Sequence, residues 1–284
     1  MSDSFLILGS NGQLGREFVK EFTARRIPFT APDERDCDIT STETMATMLD
    51  GHRPSVVLNC AAYNAVDQAE AAPDTAYRIN AEAVRTVAEL CRQRRIMLVH
   101  YSSDYIFDGR KGSPYTEQDP AGPLNVYGRS KRAGEEAVLH AGGEHLLLRT
   151  SWVFGNGPQN FIHKLLQWSK KNPVLRLTAD ETSVPTCTLD IVDVTLDAVR
   201  MRLSGLYHLT NSGVASRYDW GRYVAEKLAL SSEIQPASLD EFPSPARRPK
   251  YSAMSNAAMT SALGRPIPAW QDAVDRFLTV YPQH

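Results

Sequence analysis

The sequence predicts an α/β protein built on a doubly wound parallel sheet, with a smaller domain in the C-terminal third. Three observations carry this. Phe5 to Gly9, Val56-Val57-Leu58 and Met97-Leu98-Val99 are short and apolar throughout, as strands buried on both faces are. Stretches with apolar residues at helical spacing separate them. The two kinds of segment alternate through the first half of the chain, the pattern of helices covering both faces of a parallel sheet.

The elements follow in order. Phe5 to Gly9 is the first strand. Gln13 to Arg25 is a helix with Leu14, Phe18, Val19 and Phe22 on one stripe, and Pro28 to Pro32 a second strand. Thr42 to Gly51 is a helix capped by Ser41 or Thr42, with Gly51 as its stop. After the strand at Val56, one long helical stretch runs from Thr75 to Arg94 and leads into the strand at Met97. Tyr127 to Ala141 is a helix ended by Gly142-Gly143, and His145 to Arg149 is the next strand.

Beyond Ser151 the pattern loosens. Ile191 to Leu203 reads as helix and Leu206 to Thr210 as strand, both able to rejoin the first sheet; Tyr218 to Leu230 is a further amphipathic helix. Four prolines between Pro236 and Pro249 exclude regular structure there and leave a long loop, either a linker or part of a binding site. The expected organisation is a first domain over 1–150, with about 185–212 returning to it, and a second over 151–284.

Composition narrows the function classes. In 284 residues, 31 Lys plus Arg against 33 Asp plus Glu leave a net charge of −2, which argues against a nucleic-acid polymer as the main partner. A hydrophobic content of 42% argues against disorder. No apolar run approaches the roughly 20 residues of a membrane span, and Met1-Ser2-Asp3-Ser4 lacks the basic start of a secretory leader. Cys37, Cys60, Cys91 and Cys187 lie far apart, so neither a disulfide framework nor a zinc site is expected, and a reducing cytoplasm is. No metal-ligand spacing appears among the histidines, so no metal is expected; His100, between Val99 and Tyr101, reads as a packed strand residue.

Two constellations carry chemistry. Gly9-Ser10-Asn11-Gly12-Gln13-Leu14-Gly15 joins the first strand to the first helix with GxxGxxG spacing. Glycines there allow a tight turn and let backbone N–H groups approach a pyrophosphate, which the helix N-terminus favours; a tight turn without ligand is the alternative. At the end of the second strand, Asp33 would bind a ribose 2′-hydroxyl and favour NAD, whereas Arg35 would welcome the phosphate of NADP, so the preference stays open. Asp38 and Ile39 follow as candidates to flank the adenine.

The second is Tyr127-Gly128-Arg129-Ser130-Lys131, which places Tyr127 and Lys131 on one helical face. An ordinary tyrosine, with a pKa of about 10, is too weak an acid for neutral pH, and an ammonium one turn away would lower it. A solvated pair is the alternative. Ser102 and Ser103 follow where the strand from Met97 to Tyr101 ends, on the edge where open α/β sheets bind ligands, and a hydroxyl there can meet the carbonyl oxygen that Tyr127 protonates.

Together these pieces resemble the extended short-chain dehydrogenase/reductases. Asn59-Cys60-Ala61-Ala62-Tyr63, Val66-Asp67-Gln68-Ala69-Glu70, Ser103-Asp104-Tyr105-Ile106-Phe107, Asn125-Val126-Tyr127-Gly128, Arg149-Thr150-Ser151-Trp152-Val153-Phe154-Gly155 and Arg248-Pro249-Lys250-Tyr251-Ser252, with the glycine loop, are similar to the dTDP-4-dehydrorhamnose reductase family and run in its order from residue 5 to about 255. The resemblance implies a Rossmann-type first domain, a substrate-binding second domain, and reduction of the C4 ketone of dTDP-4-dehydro-L-rhamnose to dTDP-L-rhamnose with NADPH or NADH. It implies Tyr127 as proton donor, Lys131 tuning it and binding nicotinamide-ribose hydroxyls, and Ser103 orienting the substrate oxygen. Gly9, Asn11, Gly12, Gln13, Leu14 and Gly15 would line the pyrophosphate, Asp38 and Ile39 the adenine, with Asp33 and Arg35 at the ribose. Ala61, Ala62, Tyr63 and Ser102 would follow the inner cofactor edge. Asn64, Val66, Ser103, Asp104, Tyr105 and Trp152 would surround the sugar, and Arg248 would hold the diphosphate.

Where the family often has Thr and Lys, this chain has Asn64 and Gln68, which bears on the sugar accepted. A non-catalytic regulatory subunit of the same fold is the alternative of a different class. The intact set of Ser103, Tyr127 and Lys131 favours an enzyme over it. A related sugar-nucleotide reductase or epimerase is the other; a dehydratase would need Asp-Glu after the hydroxyl, and here Tyr105 follows Asp104. A monomer or homodimer with no partner but the dTDP-sugar is expected.

Overall fold

The computed structural model describes residues 3–281. Six strands form one parallel sheet: β1 (Phe5–Leu8), β2 (Phe29–Thr30), β3 (Val56–Asn59), β4 (Met97–Ser103), β5 (His145–Thr150) and, later in the chain, Gly205–His208. From one edge the order is Gly205–His208, β5, β4, β3, β1, β2. The chain therefore departs from β1 in both directions, and the gap between β1 and β3 at their C-terminal ends is a topological switch point, where open α/β sheets bind ligands. Every residue of β1, β3 and β4 is buried, the consequence of helices on both faces.

One face is covered by α1 (Gln13–Arg25), whose Phe18 and Phe22 are fully buried against the sheet. The other carries α2 (Thr42–His52), where Met45 and Leu49 turn inward. Next come α3 (Val66–Ala71) and α4 (Pro73–Tyr77), then a π-helical turn at Arg78–Glu82, α5 (Ala83–Arg94) and α6 (Val126–Ala141). The single helix expected over Thr75 to Arg94 is thus interrupted. The wide turn holds Asn80, whose side chain bonds the Tyr63 backbone and the Ser130 hydroxyl, and such turns gather at functional sites.

Gly51 does not stop α2. It lies inside the helix, and the left-handed residue that ends it is Arg53, at φ 46°, whose N–H bonds the Leu49 carbonyl. Arg26 and Arg95 end α1 and α5 in the same way, without glycine. β4 runs two residues past the expected end at Tyr101, because polar Ser102 and Ser103 continue the ladder, buried, against β5. His100 is a fully buried strand residue that shares a hydrogen bond with Asn59.

After β5 come β6 (Val153–Phe154), α7 (Phe161–Ser169), β7 (Val174–Thr178), β8 (Thr182–Ser183), β9 (Thr186–Cys187) and α8 (Thr188–Arg200). The sheet strand Gly205–His208, β10, pairs with β5, and α8 packs beside α1 on the first sheet. The rest is β11 (Ala215–Ser216), α9 (Arg217–Lys227), β12 (Glu233–Ala237), α10 (Ala257–Leu263) and α11 (Trp270–Val280). α7, α9 and α11 enclose a second core around Phe154, Trp220, Trp270 and Phe277. Pro236 lies within β12, which corrects the reading of its segment as wholly irregular. A two-stranded ribbon with β7 consists of edge strands, where a missing N–H is tolerated. Among the described residues no helix is long and apolar enough to cross a membrane.

Candidate active site

The glycines of the first loop do different work. Gly9 has φ +72°, and a Cβ on it would lie 2.6 Å from the Ala61 amide nitrogen; a Cβ on Gly15 would lie 2.2 Å from the Gly9 carbonyl oxygen. These two let α1 and the segment after β3 close on the end of β1. Gly12 is the N-cap of α1, has no side chain to cap the helix, and a Cβ there would meet only the Gly9 carbonyl oxygen at 3.2 Å. The first turn of α1 therefore presents its amides and the positive end of its dipole to the groove.

That groove, about 390 Å³, runs over the switch point between Gly9, Asn11 and Gly12 on one side and Asp33, Asp38, Ile39, Ala61 and Ala62 on the other. Asp33 accepts the N–H groups of Arg35 and Asp36 at 2.8 and 3.0 Å, which holds its carboxyl below the usual range. Asp38 is lowered likewise by the Thr40 N–H and hydroxyl, both at 2.8 Å. With Glu34 alongside, the outer wall is acidic. The Arg35 side chain is 88% exposed and does not line it. Gly15 and Tyr63 also stay out of the groove, Gly15 packed on Gly9 and Tyr63 held by Asn80.

Through Gly12, Ala61, Ala62 and Asn64 the groove opens into a cavity of about 660 Å³, which Gln13, Leu14, Ser102, Ser103, Asp104, Tyr127, Lys131 and Trp152 also line. Helix α6 delivers Tyr127 and Lys131. Its N-cap Asn125 accepts from the Gly128 N–H at 2.8 Å, and Glu70 accepts from the Val126 N–H at 2.7 Å. A Cβ on Gly128 would lie 2.2 Å from the Tyr105 carbonyl oxygen, so only glycine lets α6 press this close.

Tyr127 donates a long hydrogen bond, 3.4 Å, to Asn64 Oδ1. Burial pushes its phenol up to about 12 although the Ser103 hydroxyl works the other way. Lys131 donates to the Tyr101 carbonyl at 2.6 Å, and burial pushes its ammonium down to about 8, with Glu135 partly opposing. The expected lowering of Tyr127 by Lys131 is therefore corrected. The ammonium is held by the end of a buried strand, and desolvation of the phenol is the larger effect. Beneath them Arg149 grips Glu135 at two points, both 2.8 Å, with both side chains buried.

Asp104 is fully engaged by the protein. It accepts from Ser103 at 3.2 Å, from Ser183 at 2.8 Å and from Ser252 at 2.5 Å, and burial raises it to about 6 against those hydroxyls and Arg217. Tyr105 stands edge-on to Tyr127, centroids 5.8 Å apart, in an apolar cluster that includes Val66. These two back Tyr127 and do not line the cavity.

Trp152, at φ +41°, stands between this cavity and a neighbouring one of about 570 Å³. The Arg217 guanidinium lies 3.6 Å from its ring centroid, and Trp220 stacks near it at 6.0 Å. Arg217, Phe161, Trp220 and Phe242, which line the second cavity, escape sequence reasoning, because only tertiary packing brings α7 and α9 to Trp152. Arg248 is not brought to the cavity that Tyr127 and Lys131 line. It is paired with Asp67 at 2.7 Å and lines a separate groove under the proline-rich segment. Among the described residues no group of three His, Cys, Asp or Glu could hold a metal.

Known proteins resemble the chain along nearly its whole length. The family described as the RmlD substrate binding domain matches residues 3–282. The chain is 37% identical over 288 residues to a dTDP-4-dehydrorhamnose reductase of Burkholderia thailandensis, covering 95% of this chain and 96% of that one. It is 34% identical to a dTDP-4-keto-6-deoxy-D-glucose reductase of Streptomyces niveus, covering 96% of each. The crystal structure of dTDP-4-dehydrorhamnose reductase from Bacillus anthracis in complex with NADP superposes with a TM-score of 0.95 at 31% identity, covering 99% of this chain and 100% of that one.

Proposed function

The chain belongs to the RmlD substrate binding domain family, and on that premise we infer that it is an oxidoreductase that uses NADPH or NADH to reduce the C4 ketone of dTDP-4-dehydro-L-rhamnose to dTDP-L-rhamnose. The observation that carries this reading is the convergence of Ser103, Tyr127 and Lys131 on one cavity continuous with the glycine-loop groove. The cofactor's pyrophosphate fits at Gly12, where a side chain is absent and the first turn of α1 is uncapped. A bound dihydronicotinamide supplies the hydride.

The residues supply the rest. Negative charge gathers on the ketone oxygen as C4 accepts the hydride, and Tyr127, still protonated at neutral pH, gives it a proton. Ser103 orients that oxygen, and Lys131, anchored on Tyr101, is placed for the ribose hydroxyls. Asn64 and Trp152, which both line the cavity, would contact the sugar. The cavity beyond Trp152, with its aromatic walls and Arg217, suits a nucleobase and its phosphates. Residues 1–150 and about 185–212 would then hold the cofactor and 151–284 the sugar nucleotide, in a cytoplasmic monomer or homodimer.

A related 4-keto-6-deoxy sugar nucleotide is the second substrate to test, because Asn64 is bonded to Tyr127 itself and stands where the sugar meets the acid. Purified protein should oxidise NADPH or NADH only when a 4-keto sugar nucleotide is supplied. Tyr127→Phe should cut the rate by about 10²- to 10⁴-fold with cofactor binding retained. No turnover with any such ketone would overturn the reading.

A further inference from the structure

Among the residues lining the catalytic cavity, Asp104 is the single acid, and its oxygens are unequally occupied. Oδ2 accepts two hydrogen bonds, from Ser183 of β8 at 2.8 Å and from Ser252 of the C-terminal segment at 2.5 Å. Oδ1 faces Ser103 alone, at 3.2 Å. Ser103 in turn accepts the Tyr105 N–H at 3.1 Å.

A serine hydroxyl has one proton and two lone pairs. While Asp104 is ionised, the carboxylate takes the Ser103 proton, and Ser103 offers the cavity only a lone pair. A ketone oxygen gaining negative charge is repelled by that arrangement. When Asp104 is protonated, Oδ2 is already filled by two donors, so the proton sits on Oδ1 and is donated to Ser103. Both Ser103 lone pairs are then used, one by Tyr105 and one by Asp104, and its own proton turns to the side of the cavity where the Tyr127 hydroxyl also lies.

We propose that Asp104 is a positioning residue that sets the direction of the Ser103 hydroxyl, making Ser103 a donor to the reacting carbonyl oxygen when Asp104 is protonated and withdrawing that donor when it is ionised. The Asp104 proton stays on the enzyme, and Tyr127 remains the proton source for the alcohol. The assignment rests on the reductase reading given above.

The surroundings put the change within reach. Burial raises the Asp104 carboxyl to about 6, while Ser252, Ser183, Ser103 and the Arg217 guanidinium from α9 hold it from rising further. The phenols of Tyr127, on α6, and of Tyr105 are the other titratable groups that feel its charge, and both stay neutral in this range.

The test is the pH profile of kcat for NADPH oxidation with the 4-keto sugar nucleotide, in the full chain. Wild type should show kcat rising up to about a hundredfold as pH falls through about 6, with KM little changed. In Asp104→Asn the carboxamide oxygen still accepts from Ser183 and Ser252 and its NH2 always donates to Ser103, so the inflection disappears. Ser183→Ala removes one donor to the ionised carboxylate and moves the inflection to higher pH; this arm decides should the Asn variant fail to fold by circular dichroism. A flat wild-type profile, an inflection kept by Asp104→Asn, or one unmoved by Ser183→Ala overturns the proposal while turnover itself upholds the reductase. A wild type without turnover overturns the reductase reading, and this inference with it.

Discussion

Asp67 and Arg248, 181 positions apart, meet in a hydrogen-bonded ion pair of 2.7 Å that ties the proline-rich segment to α3. Asp67 also accepts the Ala246 N–H at 3.2 Å, and Arg248 returns to the Ala246 carbonyl and the Ser244 hydroxyl, so the loop is bonded to itself as well. Glu70, one turn on, caps α6 at Val126. The Val66-Asp67-Gln68-Ala69-Glu70 motif thus fastens two distant segments around Tyr127.

Both partners are partly exposed, with side-chain accessibilities of 22% and 41%, so the pair contributes at most about 1 kcal/mol to folding. Its weight lies in placing the loop. Arg248→Ala should raise KM for the sugar nucleotide several-fold with little change in kcat. Asp67→Ala should do the same, and the double variant should add little to either. Additive effects in steady-state kinetics would show that Arg248 acts independently of its carboxylate.

The ion pair that joins α6 to β5 differs in kind. Glu135 and Arg149 have side-chain accessibilities of 0% and 3%, so removing one partner leaves the other charge buried. Arg149→Met should cost about 3–5 kcal/mol in urea unfolding at neutral pH. The pH dependence has a definite sign. In wild type the Glu135 carboxyl is held below its ordinary value by Arg149, so its contribution is present above the unfolded pKa of about 4.3 and fades as pH falls. In the variant burial is opposed only by Ser102 and by Arg132, at 3.0 Å, so the carboxyl moves up and part of the lost stability is recovered as pH falls and it takes a proton. A deficit that is the same at neutral and mildly acid pH would argue against this.

How much was legible in the chain follows from where the physics is local. β1, the glycine loop and α1 could be read because a strand buried on both faces and a helical stripe leave direct patterns. The last two residues of β4 could not, since Ser102 and Ser103 are buried by neighbours that the local sequence does not name. Tyr127 and Lys131 were found through their spacing, but the direction of the Tyr127 shift was not, because desolvation depends on the whole cavity. Arg217 lies on the helix opening at α9 and reaches Trp152 only through tertiary packing.

The arginine helix ends yield a prediction that sequence patterns alone would miss. Arg95 closes α5 at φ 56°, exposed to solvent. A left-handed conformation costs a non-glycine residue roughly 1–2 kcal/mol, and glycine returns about 0.5–1 kcal/mol of that as chain entropy. Arg95→Gly should therefore stabilise the protein by about 0.5–1 kcal/mol in denaturant melts, with kcat unchanged. A destabilised variant would mean that the arginine stem contributes packing.

The acidic wall of the cofactor groove bears on the choice between the two nicotinamide cofactors. Asp33 stands on the outer wall of the glycine-loop groove; backbone N–H groups of Asp36 and Arg35 keep it ionised, and the exposed Arg35 guanidinium reaches it only at 3.5 Å. A 2′-phosphate placed there meets a carboxylate and a guanidinium that is almost wholly solvated and already drawn to that carboxylate, whereas a 2′-hydroxyl can donate to the carboxylate. Asp33→Asn isolates the charge, because the amide oxygen can still accept the two backbone N–H groups that shape the turn. The variant should lower KM for NADPH several-fold and leave or raise KM for NADH, with melting temperature nearly constant. Equal shifts for both cofactors would mean that the carboxylate acts through the turn and not on the ribose.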